Sequence, residues 1–118
     1  MPGKLTTHVL DTASGRPAAG MRIELWRHGS MGTATLVKTA ATNADGRTDE
    51  PLLGPGEIAP GTYEIVFLVG DYFDKSQGGG KIRFLDRVPV RFGIGDAGAS
   101  HHVPLLVTPW SYSTYRGS

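Results

Sequence analysis

Two histidines, one arginine and a short terminal run carry the side chains of this sequence that suit acid–base and hydrogen-bonding chemistry. His8 sits in Lys4-Leu5-Thr6-Thr7-His8-Val9-Leu10, and His102 in His101-His102-Val103-Pro104-Leu105-Leu106. An imidazole with an ordinary pKa near ~6.5 can take or give a proton at neutral pH, as a general acid or base must. Arg47 follows directly on Asn43-Ala44-Asp45-Gly46. Its planar guanidinium can hold a carbonyl or urea-like edge through two hydrogen bonds. The terminal run Tyr112-Ser113-Thr114-Tyr115-Arg116-Gly117-Ser118 joins phenols, a guanidinium and hydroxyls in a few residues.

Each of these also has an ordinary reading. Either histidine alone is a partly exposed strand residue. An arginine after a turn is usually solvated, and terminal residues usually fray. Two histidines at opposite ends of the chain stand out because first and last strands often pair, although spacing alone does not say whether these two converge. Two tyrosines and an arginine are unusual in a dispensable tail. His28, in Arg27-His28-Gly29, reads as a turn residue, and His101 faces away from His102. No helical HxxxH spacing or nearby carboxylate cluster favours a zinc site. Gly78-Gly79-Gly80 lacks the Lys-Ser/Thr that closes a phosphate loop, and no G-x-S-x-G elbow exists for a serine nucleophile.

The elements that must position these residues show period-two alternation. From Lys4 to Leu10, Leu5, Thr7 and Val9 share one face and Thr6, His8 and Leu10 the other. Ser14-Gly15-Arg16-Pro17 breaks that strand. Met21, Ile23 and Leu25 mark a second strand, opposite Arg22, Glu24 and Trp26. A third runs from Ala34 to Thr42, and Asn43-Ala44-Asp45-Gly46 is a hairpin signal. Pro51 to Gly61 reads as a loop. Tyr63 to Val69 alternates with few polar residues, as a central strand does. Gly70 to Gln77 has room for one short helix, ended by Gly78-Gly79-Gly80. Val88, Val90, Phe92 and Ile94 mark another strand, and Gly93 to Gly98 a turn. His101 to Thr108 is the last strand, its Pro104 expected at an edge or bulge. Ser111 to Ser118 is a polar and aromatic tail. About seven or eight short strands of this kind predict an all-β sandwich or barrel.

A length of 118 residues suits a single domain, 1–118, with no visible repeat or linker. Such a chain buries roughly two-thirds of its unfolded surface, enough for a core without staples. The absence of cysteine excludes disulfides and thiolate metal sites. A net charge of +1 without a Lys/Arg run argues against nucleic acid as a partner. No apolar h-region follows Lys4, and no apolar run approaches the ~20 residues that span a bilayer. The expectation is a cytoplasmic protein without membrane contact.

Leu5-Thr6-Thr7-His8-Val9-Leu10-Asp11, Gly15-Arg16-Pro17-Ala18 and Asp45-Gly46-Arg47 resemble the transthyretin-like family. Gly61-Thr62-Tyr63, Gly70-Asp71-Tyr72-Phe73 and His102-Val103-Pro104-Leu105-Leu106 continue the likeness. Tyr115-Arg116-Gly117-Ser118 resembles the terminal signature of the family's hydroxyisourate hydrolase branch. The likeness covers nearly the whole chain; the tetrapeptide with both histidines is its specific part, while the Asp-Gly-Arg turn alone is weak.

The resemblance implies a transthyretin-like (prealbumin-like) sandwich of two antiparallel sheets with one short helix. It also implies a homotetramer with active sites between dimers. It places His8, Arg47 and His102 as catalytic residues and Tyr115, Arg116, Gly117 and Ser118 as substrate-binding ones. The implied reaction is hydrolysis of the cyclic amide of 5-hydroxyisourate, the small-molecule product of urate oxidation, with no metal or organic cofactor called for. Two departures stand out. The family often has a histidine where this chain has Ser100, and an aromatic pair with Pro where it has Gly78 to Asp86. The second is expected to alter loop shape more than catalysis. Two other readings compete: a carrier of a small apolar ligand, and a non-catalytic β-sandwich module.

Overall fold

The alternating segments fold into two stacked four-stranded sheets in the computed structural model, which describes residues 3–77 and 82–118. The first sheet has the order β2 (Arg16–Pro17), β1 (Leu5–Asp11), β7 (His101–Val107), β8 (Tyr112–Thr114). The second has β4 (Ala34–Ala41), β3 (Arg22–His28), β5 (Gly61–Leu68), β6 (Arg87–Ile94). One helix, α1 (Val69–Gln77), links β5 to β6, and a single 3₁₀ turn spans Ser30–Gly32. The triple glycine at 78–80 and Lys81, expected to end the helix, lie outside the described residues. Among those described, no helix is long and apolar enough to cross a membrane.

Alternation decides which residues enter the space between the sheets. Leu5 and Val9 of β1, Ile23 and Leu25 of β3, Ile65 and Phe67 of β5 and Leu105 and Val107 of β7 are all buried there. Each such side chain contributes on the order of 1.5–3 kcal/mol. The expected central strand, β5, is paired on both sides, by β3 and β6.

Five expectations need correction. First, the sheets are not wholly antiparallel: β1 and β7 run parallel. The second sheet and its helix intervene between them, giving the long crossover a parallel pair requires. Second, Pro104 sits in an interior strand, flanked by β1 and β8. Third, the polar and aromatic tail, read without an element of its own, contributes the short strand β8. Fourth, the Asn43–Gly46 turn forms without a hairpin strand after it. The Gly46 carbonyl instead accepts the Val9 N–H at 2.8 Å, and the following chain docks on β1 by a bridge between Leu5 and Leu53. Fifth, His28, expected in a turn, ends β3, with Nε2 3.1 Å from Glu64 Oε1.

Two polar residues of β1 also point inward, and both are satisfied. The Thr7 hydroxyl donates to the Val103 carbonyl at 2.7 Å. Asp11, 5% exposed, accepts the N–H groups of Ala13 and Ser14, each at 3.0 Å, and the Tyr72 hydroxyl at 2.8 Å. Burial first, then the hydrogen bond and charge of Asp11, push the Tyr72 phenol up to about 12, so it remains a donor. This bond ties α1 to the end of β1. Tyr72→Phe leaves one carboxylate oxygen without its donor and lowers unfolding stability by about 1–3 kcal/mol, a loss readable in urea titrations.

Candidate active site

His8 and His102 project from neighbouring strands. The parallel register sets Thr6 beside His102 and His8 beside Pro104. Alternation sends Leu5, Thr7 and Val9 into the core, so Thr6 and His8 emerge on the outer face. On β7 the inward residues are His101, Val103, Leu105 and Val107, which puts His102 outside. The two imidazoles therefore share the outer face of the first sheet, diagonally across one strand pair. His101 is buried, and its Nδ1 donates to the Ala99 carbonyl at 3.0 Å.

Each ring is held by a different atom. His8 Nε2 lies 2.9 Å from the Asp45 carbonyl; a carbonyl only accepts, so Nε2 carries a proton. His102 Nδ1 lies 2.8 Å from Thr6 Oγ1. Desolvation first, then the charges of Arg47 and His8, push the His102 pKa below its ordinary value, against a smaller opposing effect of the Thr6 backbone. At pH 7 His102 is predominantly neutral, with a lone pair to offer.

The turn after β4 delivers Arg47. Asn43 Oδ1 accepts the N–H groups of Asp45 at 2.9 Å and Arg47 at 3.2 Å, and the Asn43 N–H donates to the Arg47 carbonyl at 2.7 Å. Gly46 adopts φ 76°, and a Cβ there would stand 2.3 Å from the Val9 carbonyl. Only glycine lets the turn approach β1 so closely. The Asp45 carbonyl that holds His8 and the Arg47 side chain thus come from one rigid reversal. Among the described residues, none hydrogen-bonds or ion-pairs with the Arg47 guanidinium, leaving its donors available.

Pro104 shapes the tail. Leu105 pairs with Thr114, and His102 with Gly117, in a single common register that sets Tyr115 opposite Pro104. Proline has no N–H to give Tyr115, and the Pro104 carbonyl is taken by the Thr114 hydroxyl at 2.7 Å. The ladder lapses at Tyr115 and Arg116, then resumes where the Gly117 N–H donates to the His102 carbonyl at 2.8 Å. A Cβ on Gly117 would stand 2.3 Å from His102 Cδ2, so this glycine packs against the ring itself.

These segments enclose a cleft of about 640 Å³. His8, Arg47, His102, Tyr115, Gly117 and Ser118 line it, gathering six of the seven expected site residues. Arg116 does not; it lines a separate groove of about 250 Å³ between β6 and the tail. The two spaces adjoin, since His102 and Tyr115 line both, and Arg116 falls on the far side where the β7–β8 ladder has lapsed. The cleft also contains Lys4, Thr6 and Asp49, which sequence reasoning did not single out. Alternation carried the signal for Thr6, which shares a face with His8. Nothing local marked Asp49, whose carboxylate accepts from Asn43 Nδ2 at 3.1 Å. Among the described residues, no three His, Cys, Asp or Glu side chains gather as metal ligands.

The arrangement offers a neutral imidazole, a second imidazole and a guanidinium with no partner among the described residues, around one polar space. It can remove a proton from water while hydrogen-bonding a polar, planar ligand. The HIUase/Transthyretin family profile matches residues 5–117. A 5-hydroxyisourate hydrolase of Deinococcus radiodurans is 56% identical over 117 residues, covering 99% of this chain and 97% of that protein. The solved structure of Klebsiella pneumoniae 5-hydroxyisourate hydrolase is 31% identical with a TM-score of 0.80, covering 98% of this chain and 99% of that one. An (S)-allantoin synthase structure is 49% identical with a TM-score of 0.90 over 99% of this chain, which spans 44% of that longer chain. By its profile match and its near-full-length likeness to these relatives, the chain belongs to the HIUase/Transthyretin family.

Proposed function

We infer that this chain hydrolyses 5-hydroxyisourate, opening a cyclic amide of its six-membered ring to give 2-oxo-4-hydroxy-4-carboxy-5-ureidoimidazoline. The single observation that carries the reading is the convergence of His8, Arg47 and His102 on one polar cleft, in a chain 56% identical to a hydrolase of that name.

His102 removes a proton from water as the water oxygen bonds to the amide carbonyl carbon. The ring C–N bond then breaks, and the proton passes to the departing nitrogen. Arg47 holds the substrate's oxygens where negative charge builds. His8, with its Nε2–H committed to Asp45, works from the other ring nitrogen to orient water or the departing nitrogen. Tyr115 and Ser118 close the pocket, and Gly117 seats the His102 ring. Gly117→Ala displaces that ring and lowers kcat about 10–100-fold, as loss of a catalytic side chain's supports does, while β8 remains paired; the substrate-decay assay and circular dichroism check it.

Lys4, Arg47, Asp49 and the two imidazoles give the cleft walls that an apolar carrier ligand would strip of water at a cost, which disfavours the carrier reading. The cleft is open, and Tyr115 in its lining is 61% exposed. That exposure supports a homotetramer in which neighbouring copies cover the sites between dimers. A lack of cysteine is in keeping with work in the cytoplasm.

The test is to generate hydroxyisourate with urate oxidase and follow its absorbance with and without the purified protein. Faster decay supports the reading. Decay at the spontaneous rate, with tight binding of iodinated aromatics instead, would replace hydrolysis by carriage.

A further inference from the structure

We propose that Thr6 is a positioning residue that keeps the proton of His102 on Nδ1, so that Nε2 presents its lone pair to the cleft. The inference rests on the hydrolytic reading and adds to it a residue and a tautomer.

Three observations support it. Thr6 and His102 are direct partners in the parallel register, and their side chains leave the same face. Thr6 Oγ1 lies 2.8 Å from Nδ1, and threonine is stiff at χ1, so the contact orients the ring with little freedom. The Thr6 backbone also favours the protonated ring. The Thr6 hydroxyl beside Nδ1 accepts from a proton held there. The hydroxyl hydrogen is then free for water, since Thr6 itself lines the cleft. Gly117 blocks the opposite edge, its backbone pressed toward Cδ2 and Cγ. The ring is thus fixed in plane and tautomer, and among the described residues no group hydrogen-bonds Nε2. His8 is held the opposite way, through Nε2–H, so the two imidazoles face the substrate with different nitrogens.

The test combines Thr6→Val, Thr6→Ser and nitrogen NMR of the wild-type ring. Valine keeps the β-branched shape and removes the acceptor, so the ring divides its proton between both nitrogens. Thr6→Val is expected to lower kcat about 10–100-fold, the usual effect of removing a group that orients a catalytic side chain. KM should change less than about threefold, because substrate contacts remain. Thr6→Ser should recover most of the rate. In the neutral wild-type ring, Nε2 should show the shift of an unprotonated nitrogen and Nδ1 that of an N–H. A wild-type proton on Nε2, or a Thr6→Val enzyme with unchanged kcat, would overturn the proposal. If wild-type protein does not hydrolyse hydroxyisourate, the function falls instead, and the nitrogen assignment still decides the Thr6 contact by itself.

Discussion

His102→Asn lowers kcat for hydroxyisourate hydrolysis by about 10²–10⁴-fold, the usual worth of a positioned general base. In barrier terms this is about 3–5 kcal/mol. Asparagine keeps a polar group of similar reach near Thr6 but has no group that titrates near neutrality. The ring is only partly buried on the outer face of the sheet, so its loss leaves the core between the sheets intact. The pH profile gives a second readout. Burial, Arg47 and His8 depress the His102 pKa. The base is therefore neutral above that lowered value and is consumed as pH falls through it. The acid limb of kcat/KM lies below the ordinary ~6.5, and His102→Asn removes it. A variant decaying substrate at the wild-type rate would take His102 out of the mechanism.

Arg47→Ala lowers kcat/KM by about 10²–10³-fold, as loss of a donor to developing negative charge does. Folding is expected to be nearly unaffected. The side chain is exposed and bonds no described residue, whereas the turn is held by the Arg47 backbone and Asn43, which alanine preserves. Arg47→Lys restores only part of the rate, because an ammonium keeps the charge and loses the two-pronged fork. Arg47 is also one of the charges that depress the His102 pKa. Its removal moves the acid limb toward higher pH, and lysine keeps it low. Measuring kcat/KM against pH for wild type, Arg47→Ala and Arg47→Lys separates substrate clamping from the field on His102. An acid limb that stays in place in Arg47→Ala would remove the electrostatic part of this account.

Much of the architecture was legible because alternation is a local property. The inward faces of β1 and β3 follow from side chains two residues apart, and burial agrees with them, while β5 is buried on both faces from Ile65 to Leu68. The tail was harder to place. Tyr112–Thr114 is short and polar, and its three residues are exposed, so it carries no apolar stripe. It is a strand only because β7 offers backbone partners. Pro104 misled for a related reason. In isolation it argues for an edge, yet its missing donor faces the gap at Tyr115, where it costs little and turns the tail into the cleft.

Residue order along the chain determined which side chains face outward, that the Asn43–Gly46 segment reverses direction, and that imidazoles, a guanidinium and a tyrosine stand ready for polar chemistry. Only the tertiary structure decided that they meet. The pairing of Thr6 with His102 spans 96 positions, and a shift of one residue in that register would send His102 into the core. Register across such a distance reflects the summed packing of both sheets, which no local window contains. The same holds for Arg47, which reaches the cleft because Gly46 can press its backbone against Val9, and for Arg116, which the lapse at Pro104 leaves on the other side of the tail.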